Sequence, residues 1–375
     1  MKKLTVWEAA CIITGYGIGG GVMAMPYLAA RCGIWVSLLI LVGAYLFSLL
    51  MHMMLADLSL RAGGGQATAI YEKFLFRGRF KKALTILLFG MVALVLLSTL
   101  ATYISGAGEI ISTQLGIHAV WGRLIFYAVA AGVVLFGLKA VGISEKIAVA
   151  LIFALLGVFA AASFTHMRNP LPTAPGQWNE ILAFFGMSMF SFVAFFSIPQ
   201  AVEGLAGDIK KIRKAVVVGF ANIFAIVLII VFCSLLSSAK VTEIAILGWS
   251  EGIGKWAQLV GDAFVLLAIV TTYWSISLAL TDIIGEQTKL GTRLSWLLAT
   301  APTFLLTFLP AGFMEFLRIT GGINAILLAI MVIPAFSGAN KEGPTRLLGK
   351  FAALPVQLLV VAAYLVMAVG SLVTI

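Results

Sequence analysis

Residues 15–26 read GYGIGGGVMAMP, with glycine at 15, 17, 19, 20 and 21 and a proline closing the stretch. Glycine and proline are poor helix formers and leave backbone N–H and C=O groups unpaired. In lipid such groups survive only where protein or a polar cavity covers them. Free amides at the start of a half-helix attract a carboxylate, and free carbonyls at the end of one attract an ammonium group or a metal cation. The chemistry on offer is therefore the holding of a small zwitterion. Bare backbone at Gly19, Gly20 and Gly21 would let it touch the chain directly. Gly17 and Gly21 also have the spacing of a close-packing helix face, so packing is the competing reading.

Two further stretches carry polar atoms inside apolar runs. GMSMFSFVAFFSIPQAVEG at 186–204 has hydroxyls and Pro199 near its middle, and AIVTTYWS at 268–275 places Ala268, Thr271 and Thr272 on A-x-x-T-T spacing. That spacing puts one carbonyl and two hydroxyls on one helix turn, an oxygen set that suits sodium. Paired threonines also occur simply because each can bond its own helix.

Groups that would break bonds are missing. The 3 histidines are scattered, and Cys11, Cys32 and Cys233 have neither disulfide nor metal spacing. No G-x-x-x-x-G-K-[ST] occurs, which disfavours ATP-driven pumping. The chain is expected not to be an enzyme and to need no cofactor beyond a coupling ion such as sodium.

The elements that must position these residues are membrane spans. The chain is 62% hydrophobic and 11% charged, with mean hydropathy +1.10, whereas soluble domains carry about 45–50% apolar and about 25% charged residues. Stretches of about 20 apolar residues mark spans at roughly 6–31, 33–60, 83–114, 119–138, 144–166, 180–206, 213–238, 255–284, 292–311, 316–336 and 351–373. Between the second and third lies ATAIYEKFLFRGRFKK, which reads as an amphipathic helix on the membrane surface. With the N-terminus cytoplasmic, nineteen of the 25 basic residues fall on inner segments and six on outer ones. That asymmetry puts the N-terminus inside and the C-terminus outside. The net charge of +10 is then a topology signal and does not point to nucleic acid. Trp7, Trp35, Trp121, Trp178 and Trp249 fall near span ends, as interfacial anchors do.

Pro26 and Pro199 lie at corresponding places in the first and sixth spans. Interrupted segments five spans apart are the pattern of an inverted repeat. The expected fold is an all-α integral membrane bundle of about 11 helices, a single transporter domain. Its repeats cover about 6–166 and 180–336, helices 1 and 6 are discontinuous, and one extra helix is appended at about 351–373.

GYGIGGGVMAMP, SIPQAVEGLAGDIKKIRKAVVVG and AIVTTYWSISLALTD together resemble the amino acid permeases of the aromatic and hydroxy amino acid group and the related amino acid/auxin group. Both belong to the amino acid–polyamine–organocation superfamily. The resemblance covers essentially the whole chain and is strongest at IPQ…GD-x-KK-x-RKA. It implies a leucine-transporter-like fold, an amino acid substrate, and coupling to a sodium or proton gradient. Carried over by position, amides around Ile18, Gly19, Gly20 and Gly21 would hold the substrate carboxylate. Carbonyls around Ser191, Phe192 and Val193 would take its ammonium group, and Tyr103 would stand beside it. Carbonyls of Gly15 and Ile18 would join Ala268, Thr271 and Thr272 at a sodium site.

For a proton, Glu203, just beyond the sixth-span break, is the candidate. Glu109, Asp262, His52, Asp57 and Lys146 read as interfacial or paired structural charges. Phe192, Phe195, Phe196, Tyr273 and Trp274 would favour an apolar or aromatic substrate. Gly106 and Gly108 read as packing contacts. The expected function is an amino acid symporter working by alternating access in the cytoplasmic membrane. The alternatives are an exchanger or facilitator without ion coupling, or a channel.

Overall fold

The computed structural model describes residues 3–308, 331–341, 343, 345 and 347–373. Among these, every regular element is helical. Five helices are each long and apolar enough to cross a membrane: α3 (Ile34–Arg61), α5 (Lys81–Leu115), α7 (Leu138–Thr165), α10 (Ile209–Ser237) and α12 (Lys255–Thr288). The first span is a bent pair, α1 (Val6–Gly17) and α2 (Met25–Cys32), turning through 55°. A 3₁₀ turn, Gly20–Ala24, joins its halves. The sixth span is likewise split into α8 (Trp178–Ser191) and α9 (Ser197–Gly204). Shorter helices complete the described bundle: α4 (Ala67–Phe74), α6 (Ala119–Leu135), α11 (Ala245–Ile253), α13 (Thr292–Leu306) and a C-terminal helix, Leu354–Gly370. The tenth expected span, 316–336, falls mostly outside the described residues, and its last part, 331–336, is helical.

Both prolines begin the second half of a broken span and do not sit in the gap. Pro26 is the second residue of α2 and Pro199 the third of α9. In a first turn the missing N–H had no partner to lose. The broken spans form the centre. α1 packs against α7, α9, α10 and α12, while α8 packs against α2, α3, the 3₁₀ turn and the C-terminal helix. Outward faces carry Trp35, Leu39, Leu94 and Val129, exposed as lipid-facing side chains are.

Local chemistry sets the helix starts. At α1 the Thr5 hydroxyl accepts the Glu8 amide at 3.2 Å, and the Thr5 amide donates to Glu8 Oε2 at 2.7 Å, a reciprocal cap. Lys139 Nζ lies 2.6 Å from the same Glu8 oxygen and ties α7 to α1. Asp208 caps α10 by accepting the Lys211 amide at 3.1 Å, and that bond, with Lys211's ammonium, holds its carboxyl below the ordinary range. Gly33 turns the chain between α2 and α3 at φ 78°, where a Cβ would lie 2.3 Å from the Ala174 carbonyl.

Four expectations change. α7 begins at Leu138, six residues before the expected 144, because Gly137 caps it at φ 78° and Lys139 is neutralised by Glu8. α11 was not expected, since nine residues cannot span; glycines 248 and 252 let it press onto the Lys240 and Ser237 carbonyls. α4 is held on protein and does not simply lie on lipid: Ala67, Thr68, Ile70, Tyr71 and Phe74 are buried, and it packs against α3, α5 and α12. Trp249 is no interfacial anchor. It is 1% exposed, and its indole N–H donates to Ser163 Oγ at 2.8 Å.

Candidate functional site

α1 ends when Gly17 is followed by Ile18, whose amide still reaches the Thr14 carbonyl at 3.1 Å. Beyond it, the amides of Gly19 and Gly21 have no acceptor among the described residues, while Val22 donates back to the Gly19 carbonyl at 3.3 Å. Exposed amides next to a helix start make an anion-attracting end. The glycines differ in what they meet. A Cβ at Gly17 would lie 2.4 Å from Ile223 Cδ1 of α10, a packing contact. One at Gly19 would lie 3.0 Å from Tyr103 Oη and 3.3 Å from Thr272 Oγ1.

The second break faces the first. A Cβ at Gly21 would lie 2.8 Å from Phe190 Cδ1 and 3.0 Å from Ser191 Oγ. After α8 ends at Ser191, the carbonyls of Ser191, Phe192 and Val193 receive no backbone hydrogen bond among the described residues. Unpaired amides on one strand of chain and unpaired carbonyls on the other thus flank one region, with the buried Tyr103 hydroxyl beside it. Phe195 and Phe196 stack edge to face at 5.1 Å, and Phe192 packs on Tyr45 and Phe224. Tyr273 packs edge-on to Phe126, and Trp274 Nε1 is buried without a hydrogen-bond partner among the described residues.

On α12 the residues Ala268, Thr271, Thr272 and Ser275 stand at i, i+3, i+4 and i+7, one stripe facing α1. Thr271 Oγ1 donates to the Gly15 carbonyl at 3.2 Å and Thr272 Oγ1 to the same oxygen at 3.0 Å. Both also reach the Ala268 carbonyl at 3.0 Å. Gly15, Ala268, Thr271 and Thr272 are therefore brought together. Ile18 caps α1 three residues on, and its carbonyl makes no backbone bond among the described residues.

Glu203 stands exposed at the far end of α9, away from the break, close to Gly64 and to Asp282 and Glu286 of α12. Gly108 is a packing contact, pressed onto Arg123 of α6. Asp57 pairs with Arg61 at 2.7 Å, and Asp262 accepts from Gln114.

Two residues take on places that the sequence did not give them: His52, expected as an interfacial or paired structural charge, is neither, and Glu145 was not singled out. His52 of α3 is fully buried; its Nε2 accepts the Ala194 amide at 3.0 Å inside the second break, and its Nδ1 lies 2.6 Å from the Ser48 carbonyl. An acceptor at Nε2 makes Nδ1 the protonated nitrogen. Glu145 of α7 is fully buried and accepts the Ser275 hydroxyl at 2.9 Å. A charged residue deep in an apolar run was the available signal. Placing the start of that span at 144 put Glu145 at its edge and hid it.

Residues 2–374 match the model of a family described as the tryptophan/tyrosine permease family. The chain is 25% identical over 374 residues to the tyrosine-specific transport system 2 of Haemophilus influenzae, covering 92% of this chain and 90% of that protein. Among solved structures it is similar to Mhp1, a nucleobase-cation-symport-1 family transporter, in a closed conformation with bromovinylhydantoin bound. There the TM-score is 0.68 at 13% identity, over 99% of this chain and 91% of the other. It is also similar to MhsT in complex with L-phenylalanine, with TM-score 0.65 at 16% identity over 99% and 100%. These likenesses establish a leucine-transporter-like fold.

Proposed function

The chain belongs to the tryptophan/tyrosine permease family, and from that premise we propose that it is a symporter for an aromatic amino acid, driven by a sodium or proton gradient. Amino acid transport follows from the family; the coupling, the substrate and the residues are our reading. So are the repeat boundaries, the wider grouping with hydroxy amino acid and amino acid/auxin permeases, and a cytoplasmic-membrane location with the N-terminus inside.

The observation that carries the reading is the pair of opposed breaks. The amides of Gly19 and Gly21, with Ile18 and Gly20 on the same turn, would hold the carboxylate. The carbonyls of Ser191, Phe192 and Val193 would take the ammonium group, and Tyr103 and Phe195 would flank the side chain. Both ends of a zwitterion are then met by backbone dipoles in a setting that lipid alone could not provide. Nearby, Gly15, Ile18, Ala268, Thr271 and Thr272 would hold sodium as a co-transported ion. Thr272 links the two sites, since its hydroxyl bonds Gly15 and lies next to Gly19.

Reconstitution in liposomes tests this. Labelled tyrosine and tryptophan should accumulate against a concentration gradient when a sodium or a proton gradient is imposed separately. If sodium is the driver, Thr271→Ala with Thr272→Ala should lower the sodium dependence. Counterflow without accumulation under either gradient would make the protein an exchanger. Flux that neither saturates nor shows counterflow would make it a channel.

A further inference from the structure

Leu4, just ahead of the Thr5 cap of α1, is only 6% exposed. Its amide donates at 2.8 Å to the carbonyl of Gly204, the last residue of α9. Its side chain fills a hollow between two helices. A Cβ on Gly204 would lie 2.3 Å from Leu4 Cδ1, and one on Gly142 of α7 would lie 2.7 Å from Leu4 Cδ2. Neither glycine has a positive φ, so backbone conformation does not call for glycine at either place. Both belong to helices, where glycine lowers stability. What the pair provides is room for Leu4.

One turn further along α1, Glu8 is 3% exposed and pairs with Lys139 of α7 at 2.6 Å. A Cβ on Gly142 would also lie 3.4 Å from Glu8 Cβ and 3.6 Å from Ile12 Cδ1. One bare position on α7 thus receives Leu4, Glu8 and Ile12 together. α1 and α9 are each one half of a broken span, and Leu4 joins them at the ends farthest from the breaks. The ties are few and individually modest: a hydrogen bond, one apolar side chain, and an ion pair with a part-exposed lysine. Contacts of that strength can be broken and remade.

We propose that Leu4, seated between Gly142 and Gly204, is a latch that holds α1 against α9 and shuts the site on the side where the chain enters. The Glu8–Lys139 pair is its second tie. The proposal rests on the reading of the chain as a transporter, whose topology puts that side in the cytoplasm. Unseating Leu4 frees α1 to move away from α9 and α7, which opens a way out between the two half-helices. Reseating it closes that way while the other side is open, as alternating access requires.

The Cβ position on Gly204 lies 3.2 Å from Leu4 Cβ, close to the separation of about 3.5–4.5 Å found in disulfides. Leu4→Cys with Gly204→Cys, in a chain whose three native cysteines are alanine, can therefore be fastened by an added oxidant. Tyrosine counterflow in liposomes should stop in the oxidised protein and return on reduction, with each single-cysteine variant indifferent to the oxidant. Equal counterflow before and after reduction, with the crosslink confirmed by mass, would overturn the latch. A second measurement needs no transport. Cys11, further along α1, is 0% exposed, and with Cys32 and Cys233 replaced by alanine it is the reporter. Leu4→Ala should make Cys11 react several-fold faster with a soluble thiol reagent, and Leu4→Met, which refills the hollow, should restore slow reaction. Equal rates in wild type and Leu4→Ala would overturn the latch even if the double-cysteine variant fails to insert. A wild type without counterflow would sink the transport reading, while Cys11 reactivity would still decide whether Leu4 holds α1 in place.

Discussion

A side chain at position 19 would have to enter the space between the Tyr103 hydroxyl and Thr272, 3.0 Å and 3.3 Å from its Cβ. Gly19→Leu is therefore expected to abolish tyrosine uptake while leaving the protein folded and inserted, as judged by gel filtration and membrane yield. Wild-type uptake by that variant would remove the first break from the site. Chemistry at this scale was partly legible in the sequence. The glycine run announced exposed backbone because no other residue type leaves it bare, and A-x-x-T-T announced two hydroxyls on one turn. Ser275 and Glu145 were not legible as a pair, because 130 residues separate them and only the packing of α7 on α12 makes them neighbours.

At the scale of the element, a broken helix is stable only if something answers its freed backbone groups. His52 does so for the second span by accepting the Ala194 amide at 3.0 Å from a neighbouring helix. His52→Phe preserves a ring and removes the acceptor. Leaving a buried amide unpaired costs about 1–3 kcal/mol, so that variant should unfold at a lower temperature and transport more slowly. His52→Gln, which keeps an acceptor, should recover part of both losses. Thermal unfolding in detergent beside uptake in liposomes checks this, and equal behaviour of the two variants would deny His52 its role. The breaks themselves could be read from Pro26 and Pro199. Their register could not: a proline marks the first turn of the resumed helix, and the gap lies just upstream, at 18–24 and 192–196.

For the molecule as a whole, orientation is set by where the basic residues lie. Lys210 and Lys240 are both exposed, at opposite ends of α10, and the native cysteines are buried at 0%, 0% and 5% exposure. In intact cells an impermeant maleimide should label Lys240→Cys and spare Lys210→Cys; the reverse pattern would invert the assigned topology. The close packing that holds the bundle follows from glycines at crossings, such as Gly108 and Gly122 between α5 and α6. There a Cβ on Gly122 would lie 2.3 Å from the Gly108 carbonyl. Small residues let backbones approach where no hydrophobic force drives helices together.

By itself the sequence determined the solvent, that the chain carries several apolar spans, and which two of them do not run unbroken. Each of these is written in local composition over about twenty residues or fewer. Tertiary structure alone decided which other groups meet: Gly21 against Ser191, His52 at the second break, and Glu145 beneath α1. Those pairings depend on helix rotation and depth to within a fraction of a turn, and span boundaries read from hydropathy are too coarse to fix either.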